Sequence, residues 1–234
     1  MESISTISNL SLALAFLPAL VVIAIMVYWR AGGGTAIYAT LRMLVQLLAI
    51  GYLLIYIFDA DSWRVIIAVL LVMLTAASWI AVRTVESPDR RTYVVSFIAV
   101  SVSGVPILAL VTQTVIGVEP WFMPRYVVPL AGMIFSGSMT AISIAAERLA
   151  AELGNGRPWV DARRKAFDTA MIPIVNALFA VGLVSLPGMM TGQVLSGISP
   201  LIAAKYQIVV MTMMFGATGI AAALYLTLMK PDDN

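Results

Sequence analysis

Residues 65–82 read VIIAVLLVMLTAASWIAV, an uninterrupted apolar run without a charged side chain. A helix that crosses the hydrocarbon core of a bilayer needs about 20 mainly apolar residues, so this run predicts a membrane span. Comparable runs along the chain bring the predicted spans to seven: residues 10–29, 37–58, 65–82, 93–118, 127–146, 169–186 and 208–229. The sequence therefore predicts an all-α, polytopic integral membrane protein with about seven transmembrane helices.

The composition leaves little material for a water-soluble domain. Of the 234 residues, 61% are hydrophobic and 11% are charged, and the mean hydropathy is +0.98. Seven spans of about 20 residues would use about 140 apolar positions, which nearly exhausts the 61% of 234 residues that are hydrophobic. We therefore expect one transmembrane domain over residues 1–234.

Lysine and arginine are distributed unequally between the two sets of predicted loops. Cytoplasmic loops carry the excess of these residues, so the richer set predicts the cytoplasmic side. The richer set contains Arg30, Arg83, Arg90, Arg91, Arg148, Arg157, Arg163, Arg164, Lys165 and Lys230, whereas the other contains Arg64, Arg125 and Lys205. We therefore expect a multi-pass protein of the cell (inner) membrane with its N-terminus outside and its C-terminus in the cytoplasm. Because no Lys or Arg precedes the first span, we expect that span to be retained.

The longest polar segment, residues 147–168, is predicted to be cytoplasmic and amphipathic. Glycines break it, a tryptophan and alanines then recur at helical spacing, and a basic cluster follows. The residues assigned to this segment are Gly154, Gly156, Trp159, Arg163, Arg164 and Lys165. We expect a short helix at the inner membrane surface. It either docks on a partner ATPase, as in ABC-type permeases, or rests on lipid headgroups.

Several classes of chemistry are excluded by what the sequence lacks. It contains no cysteine and no histidine, and every Asp and Glu falls in a loop, a terminus or a span edge. Coupled carriers usually have an ionisable group within the membrane, and nucleotide hydrolysis usually needs a phosphate-binding loop, which is also missing. We therefore expect no enzyme activity, no cofactor bound by this chain and no nucleic-acid partner. A separate ATP-binding subunit would supply the energy, while any metal ligands stay unknown.

A few polar residues lie inside the predicted spans. Arg42 and Gln46 are four residues apart and share one helix face. A membrane-embedded Arg usually faces a protein interior or a watery path, although Arg42 is close enough to the span edge to reach the headgroups. Gln113, Ser136 and Asn176 could line a pathway or form hydrogen bonds between helices. The five together are our candidate pathway residues.

Glycine and proline predict close helix packing and a kink near the end of the chain. Gly188 and Gly192 form a GxxxG pattern, and Gly132 adds another small site, which favours tight packing or a homodimer. Residues 187–207 are too apolar for an ordinary loop. Either the sixth helix continues past a kink at Pro187, or this segment is partly re-entrant.

The sixth-span block GLVSLPGMMTG, residues 182–192, carries a resemblance to a known family. Together with Gly197, Pro200 and AAKYQ at 203–207, it resembles the signature of the FetB-like iron export permeases, which include the plant aluminium-tolerance permeases. Arg42, the Gln-Leu and Gly-Tyr pairs at 46–47 and 51–52, and PLAGMI at 129–134 also match.

The resemblance implies the permease subunit of an ABC transporter, working as a homodimer with a separate ATP-binding subunit. It implies export of iron, or of another metal ion or small solute. Relatives tend to have Gly-Asn where this chain has Ser136-Gly137, and a polar residue where it has Phe179. Two other functions are open from the residues alone: a passive channel or facilitator, and a non-transporting membrane scaffold.

Overall fold

The computed structural model describes residues 7–59, 62–85 and 88–230. All regular secondary structure in these residues is helical, which confirms the predicted all-α membrane fold. By internal contacts the chain divides into two compact units, Met1–Asp59 and Ala60–Asn234.

The first unit contains three helices: α1 (Asn9–Leu14), α2 (Leu17–Tyr28) and α3 (Gly33–Phe58). The hydroxyl of Ser8 accepts a hydrogen bond from the backbone N–H of Ser11 and caps α1. Pro18 lies at the start of α2, where its missing N–H costs no hydrogen bond. Helices α2 and α3 pack against each other within the unit.

The second unit contains α4 (Trp63–Ala81), α5 (Arg90–Ala109), α6 (Pro124–Gly154), α7 (Trp159–Ala180), α8 (Gly188–Leu195) and α9 (Pro200–Leu228). A π-helical segment, Leu110–Ile116, continues α5. Helix α6 packs against α4, α5, α7 and α9, and so forms the centre of the unit. Its buried face includes Ala131, Ile134, Ile142 and Ala145, each 0% exposed.

Serine hydroxyls join neighbouring helices of this unit. Ser96 Oγ donates to the Ser78 carbonyl at 3.1 Å, and Ser143 Oγ donates to the Ala81 carbonyl at 2.7 Å. Such bonds satisfy hydroxyls that would otherwise be costly in hydrocarbon. The second bond places Ser143 of α6 beside the C-terminal end of α4.

Arg91 joins the start of α5 to the end of α9. Its Nη2 donates to the carbonyls of Leu228 at 3.3 Å and Lys230 at 3.0 Å. The last carbonyls of a helix lack partners within the helix and carry partial negative charge, so a guanidinium is favoured there. The start of α5 and the end of α9 therefore lie at the same end of the unit.

Six helical segments among the described residues are long and apolar enough to cross a membrane. They are Asn9–Tyr28, Gly33–Phe58, Trp63–Ala81, Arg90–Ile116, Pro124–Gly154 and Pro200–Leu228. Each overlaps one of the predicted spans, and the last begins at Pro200, eight residues before its predicted start at 208.

The predicted sixth span, residues 169–186, is wrong as a single helix. Helix α7 begins ten residues earlier, at Trp159, so the amphipathic segment is its first half and not a separate surface helix. The helix ends at Ala180, because Gly182 has a left-handed φ of +85° and its N–H donates to the Ser185 carbonyl at 2.9 Å.

Continuation of the sixth helix past a kink at Pro187 is also wrong. Pro187 lies outside α7 and is the residue that precedes α8, a short helix that packs on α9. Proline suits the start of a helix because its missing backbone N–H is not needed for the hydrogen bonds within the helix. The segment 187–207 thus contains a short helix, a turn and the start of α9.

Candidate functional site

A buried carboxylate lies at the junction of α6 and α7, which we name the elbow (residues 148–165). Glu152 is 3% exposed. It forms ion pairs with Arg148, one helical turn earlier, and with Arg157, whose Nε lies 2.6 Å from Glu152 Oε2. Two cations on one anion leave the cluster with a net positive charge.

The backbone of the elbow is fixed by the same residue. The N–H of Arg157 donates to the Glu152 carbonyl at 3.2 Å, and that of Gly156 donates to the Leu153 carbonyl at 2.9 Å. Gly156 has a φ of +76°, a conformation that side chains disfavour. The break predicted at Gly154 and Gly156 is therefore a tight turn that leads directly into Trp159 at the start of α7.

The first half of α7 shows the amphipathic pattern predicted from the sequence. Ala162, Ala166 and Ala170 are buried at four-residue intervals. The opposite face exposes the basic cluster Arg163, Arg164 and Lys165. Small residues let α7 approach α6 closely, and the cations stay accessible from outside the helix pair.

Helix α6 is longer than the apolar layer of a bilayer. At about 1.5 Å per residue, α6 is about 46 Å long, whereas the hydrocarbon core is about 30 Å thick. From Ser143, which contacts the end of α4, α6 continues for eleven residues, about 16 Å, to Gly154. The elbow therefore lies beyond the end of α4.

Two hydrogen-bond donors in the elbow have no partner among the described residues. They are Arg148 Nε and the indole Nε1 of Trp159, and both atoms are buried. Buried donors are nearly always paired in proteins, and these two lie too deep for the surface of another protein to reach. The groups that an acidic surface could contact are the exposed cations Arg163, Arg164 and Lys165.

A second feature is a small cleft between α6, α7 and α9, of about 270 Å³. Its polar lining consists of hydroxyls: Ser136 Oγ donates to the Met133 carbonyl at 3.2 Å, and Thr140 Oγ1 donates to the Ser136 carbonyl at 2.9 Å. Thr218 is 4% exposed, and its Oγ1 has no partner in the described chain. The cleft offers neutral oxygen atoms.

The other candidate pathway residues are not gathered at this cleft. Gln113 lies in the π-helical segment, where its Nε2 donates to Thr112 Oγ1 at 3.1 Å and to the Trp121 carbonyl at 3.3 Å. Asn176 is exposed on α7 and does not line the cleft. Arg42, half-buried, and Gln46, exposed, belong to α3 of the first unit.

The predicted packing glycines differ in their surroundings. A Cβ on Gly132 would lie 3.4 Å from Met73 Cε of α4, so Gly132 permits ordinary contact there. A Cβ on Gly188 or Gly192 would meet no described atom within 4 Å. Any close approach at these two glycines would have to come from outside the described chain, as in a homodimer.

Sequence reasoning missed Glu152 and Thr218. A partial signal for Glu152 was its position four residues after Arg148, a spacing that brings side chains together on a helix. Its burial depends on the turn and on Arg157, so spacing alone could not show it. Within the described residues, no group of three or more His, Cys, Asp or Glu could hold a metal ion.

Comparisons with known proteins place the chain in a family. Residues 9–232 match the Uncharacterised protein family (UPF0014). The chain is 34% identical over 193 residues to the UPF0014 membrane protein slr1647 of Synechocystis, covering 76% of this chain and 74% of the relative. It is 31% identical over 245 residues to the probable iron export permease protein FetB of Escherichia coli, covering 96% and 92%.

A plant relative extends the same family. Protein ALUMINUM SENSITIVE 3 of Arabidopsis thaliana is 30% identical over 204 residues, covering 81% of this chain and 73% of the relative. No solved structure matches the chain. The chain therefore belongs to the UPF0014 family and is a multi-pass inner-membrane protein with a role in membrane transport.

Proposed function

We propose that this chain is the permease subunit of an ABC transporter and exports a metal ion, driven by a separate ATP-binding subunit. The observation that carries the proposal is the elbow, which lies beyond the end of α4 and has an exposed basic face. The relative from Escherichia coli is named an iron export permease, which makes iron the first ion to test.

The proposal puts the elbow in the cytoplasm, where ATP is available. The elbow, the start of α5 and the end of α9 carry most of the Lys and Arg residues, as cytoplasmic ends do. The ATP-binding subunit contacts Arg163, Arg164 and Lys165 through acidic groups. ATP is consumed by that subunit, and this chain binds no cofactor.

The proposed route runs along the hydroxyl-lined cleft at Ser136. Neutral oxygens can replace part of the hydration shell of an ion without trapping it, as a transport path requires. A homodimer would line the route with further polar groups, for which Arg42, Gln46, Gln113 and Asn176 stay our candidates. Because this cleft carries no charge, we expect weak binding and turnover that depends on ATP.

The test is charge reversal at the elbow. The chain is purified with its ATP-binding subunit and reconstituted in liposomes, and ATP turnover and Fe²⁺ flux are measured. We expect the combined change Arg163→Glu, Arg164→Glu and Lys165→Glu to abolish ion-stimulated ATP turnover while membrane insertion is unchanged. Lys205→Glu, a charge reversal at an exposed position of α9, is the control and should behave like the wild type.

Three results would contradict the proposal. Unchanged coupling in the triple variant would show that the basic face is not the docking surface. Ion flux in vesicles that contain only this chain would indicate a passive facilitator. Failure of any ATP-binding subunit to co-purify, with no flux under any condition, would indicate a scaffold.

A further inference from the structure

We propose a second binding site, separate from the hydroxyl-lined cleft, that takes a small uncharged alcohol with an apolar body. The site is an open-sided cavity of about 390 Å³ lined by the end of α7, by α8 and by the first half of α9. This volume lies within the range of small-molecule pockets. The proposal does not depend on the ATP-binding subunit.

The break after α7 forms one wall of the cavity. Val181 and Gly182 of the break lie opposite Met211 and Phe215 of α9, and Met190 of α8 adds a third side. The lining is almost entirely apolar, so the body of a ligand must be apolar as well. Methionine side chains adapt to ligands of different shape.

Two polar side chains line this apolar space, Thr212, whose hydroxyl already donates to the Ile208 carbonyl of its own helix, and Gln207. Gln207 lines the cavity, is 5% exposed, and its Oε1 is buried without a hydrogen-bond partner among the described residues. Leaving such an atom unpaired is costly, so a ligand that pairs with it gains both the bond and relief of that cost. The amide therefore selects a ligand with one polar group.

The chemistry of the cavity favours an alcohol over an ion. A hydroxyl both donates and accepts, so it can pair with either end of the Gln207 amide. A cation would find one amide, one hydroxyl and no carboxylate among the lining residues, and burial of an uncompensated charge is costly. An uncharged alcohol also reaches the cavity readily from the bilayer.

The test uses a diazirine derivative of octanol as a photoreactive probe, on the full chain in liposomes, with labelled residues mapped by mass spectrometry. We expect saturable labelling of Met190, Met211 and Phe215 that excess octanol prevents. Gln207→Leu removes the hydrogen bond and keeps the volume, so it should lower saturable labelling by about three- to tenfold. Labelling by the matching diazirine derivative of octane should not change.

Two further variants separate the cavity from the surrounding lipid. Ala204→Phe fills the cavity and should remove saturable labelling by both probes. Ile202→Phe adds the same ring at an exposed position of α9 outside the cavity lining and should leave labelling unchanged. Labelling that never saturates, or that is equal in the wild type and Gln207→Leu, would overturn the proposal. Helical circular dichroism confirms that each variant is folded.

Discussion

Glu152 balances two arginines and also holds the turn that follows α6. Its partners are partly exposed, with side-chain exposures of 37% for Arg148 and 56% for Arg157. Solvent therefore weakens each pair, but the carboxylate itself is buried. Loss of its charge leaves both guanidiniums without a counter-charge at the start of α7.

The first prediction is that Glu152→Gln lowers the free energy of unfolding by about 1–3 kcal/mol. It should also speed hydrogen exchange of the backbone amides at 155–158, since the turn loses its side-chain anchor. The measurements are unfolding in mixed micelles and exchange mass spectrometry. Glu147→Gln, at an exposed position of the same helix, is the control. Equal effects of the two changes would contradict the assigned role.

The second prediction concerns Asp89, which precedes α5 and lies outside its membrane-spanning segment. The Thr92 hydroxyl donates to Asp89 Oδ1 at 2.5 Å, and the Thr92 N–H donates to the same oxygen at 2.7 Å. These two bonds hold the pKa of Asp89 below its ordinary value of 3.8, and the bond from the Thr92 hydroxyl has the larger effect. The ionised carboxylate therefore contributes its full stabilisation at a pH above the ordinary pKa. This stabilisation is lost as the pH falls through the lowered pKa of the folded protein.

We expect the thermal stability of the wild type, relative to Asp89→Asn, to be constant above about pH 5 and to decrease as the pH falls below about 4. Asparagine caps a helix without a titrating proton, so the difference isolates the carboxyl group. Thr92→Val removes the hydroxyl bond and should weaken this dependence. A difference that does not change with pH would show that the bonds do not favour the charged form.

At the level of helices, the close contact of α5 and α6 depends on one glycine. A Cβ on Gly104 would lie 2.9 Å from Ile134 Cγ2 and 3.0 Å from Phe135 Cε1, both on buried residues of α6. Real Cβ atoms are not found so close to a buried neighbour, so the helices would have to separate.

The third prediction is that Gly104→Ala destabilises the protein by about 1–3 kcal/mol through overpacking. The matched change is Gly216→Ala on α9, whose Cβ would lie at an ordinary 3.5 Å from Ile107 Cδ1. We expect that variant to be neutral, or more stable by up to about 1 kcal/mol, because alanine favours helix. Unfolding in mixed micelles checks both, and similar losses in the two variants would refute the distinction.

The helices could be predicted from the sequence where a single apolar run forms a single helix. Hydropathy is a local property, so residues 65–82 predicted α4 almost to its ends. Hydropathy did not predict the end of α7, because the sequence from residue 169 onward stays apolar through the turn at Gly182. That turn depends on backbone geometry and not on hydropathy. Of the candidate site, Ser136 and the basic cluster were found from residue type, whereas the burial of Glu152 and Thr218 depends on partners distant in sequence.

For the whole molecule, the open question is how the chain crosses the membrane between α6 and α9. The uncharged part of α7, from Thr169 to Ala180, is about 18 Å long, which is too short for a core of about 30 Å. The break and α8 would have to cover the remaining depth. Seven crossings therefore require α7 and α8 together to replace one continuous span.

The fourth prediction uses the absence of native cysteine, which makes any introduced thiol unique. We expect Asn155→Cys in the elbow to react with a membrane-impermeant maleimide only from the cytoplasmic side. Ser196→Cys, after α8, should react only from the opposite side. Labelling of intact cells and inverted vesicles measures this. Reaction of both cysteines from the same side of the membrane would contradict this prediction. It would mean that the segment formed by α7 and α8 enters the membrane and returns to the same side without crossing it.

The length of α6 has a mechanical consequence. If α6 moves as one rigid body about its contact with α4 at Ser143, eleven of its residues lie on the elbow side of that pivot and nineteen on the other. A sideways displacement of the elbow would then move the far end of α6 in the opposite direction by about 1.7 times as much, since helix length is proportional to residue number. Under the proposed function, a displacement of the elbow by the ATP-binding subunit would thus be larger at the far side of the bilayer.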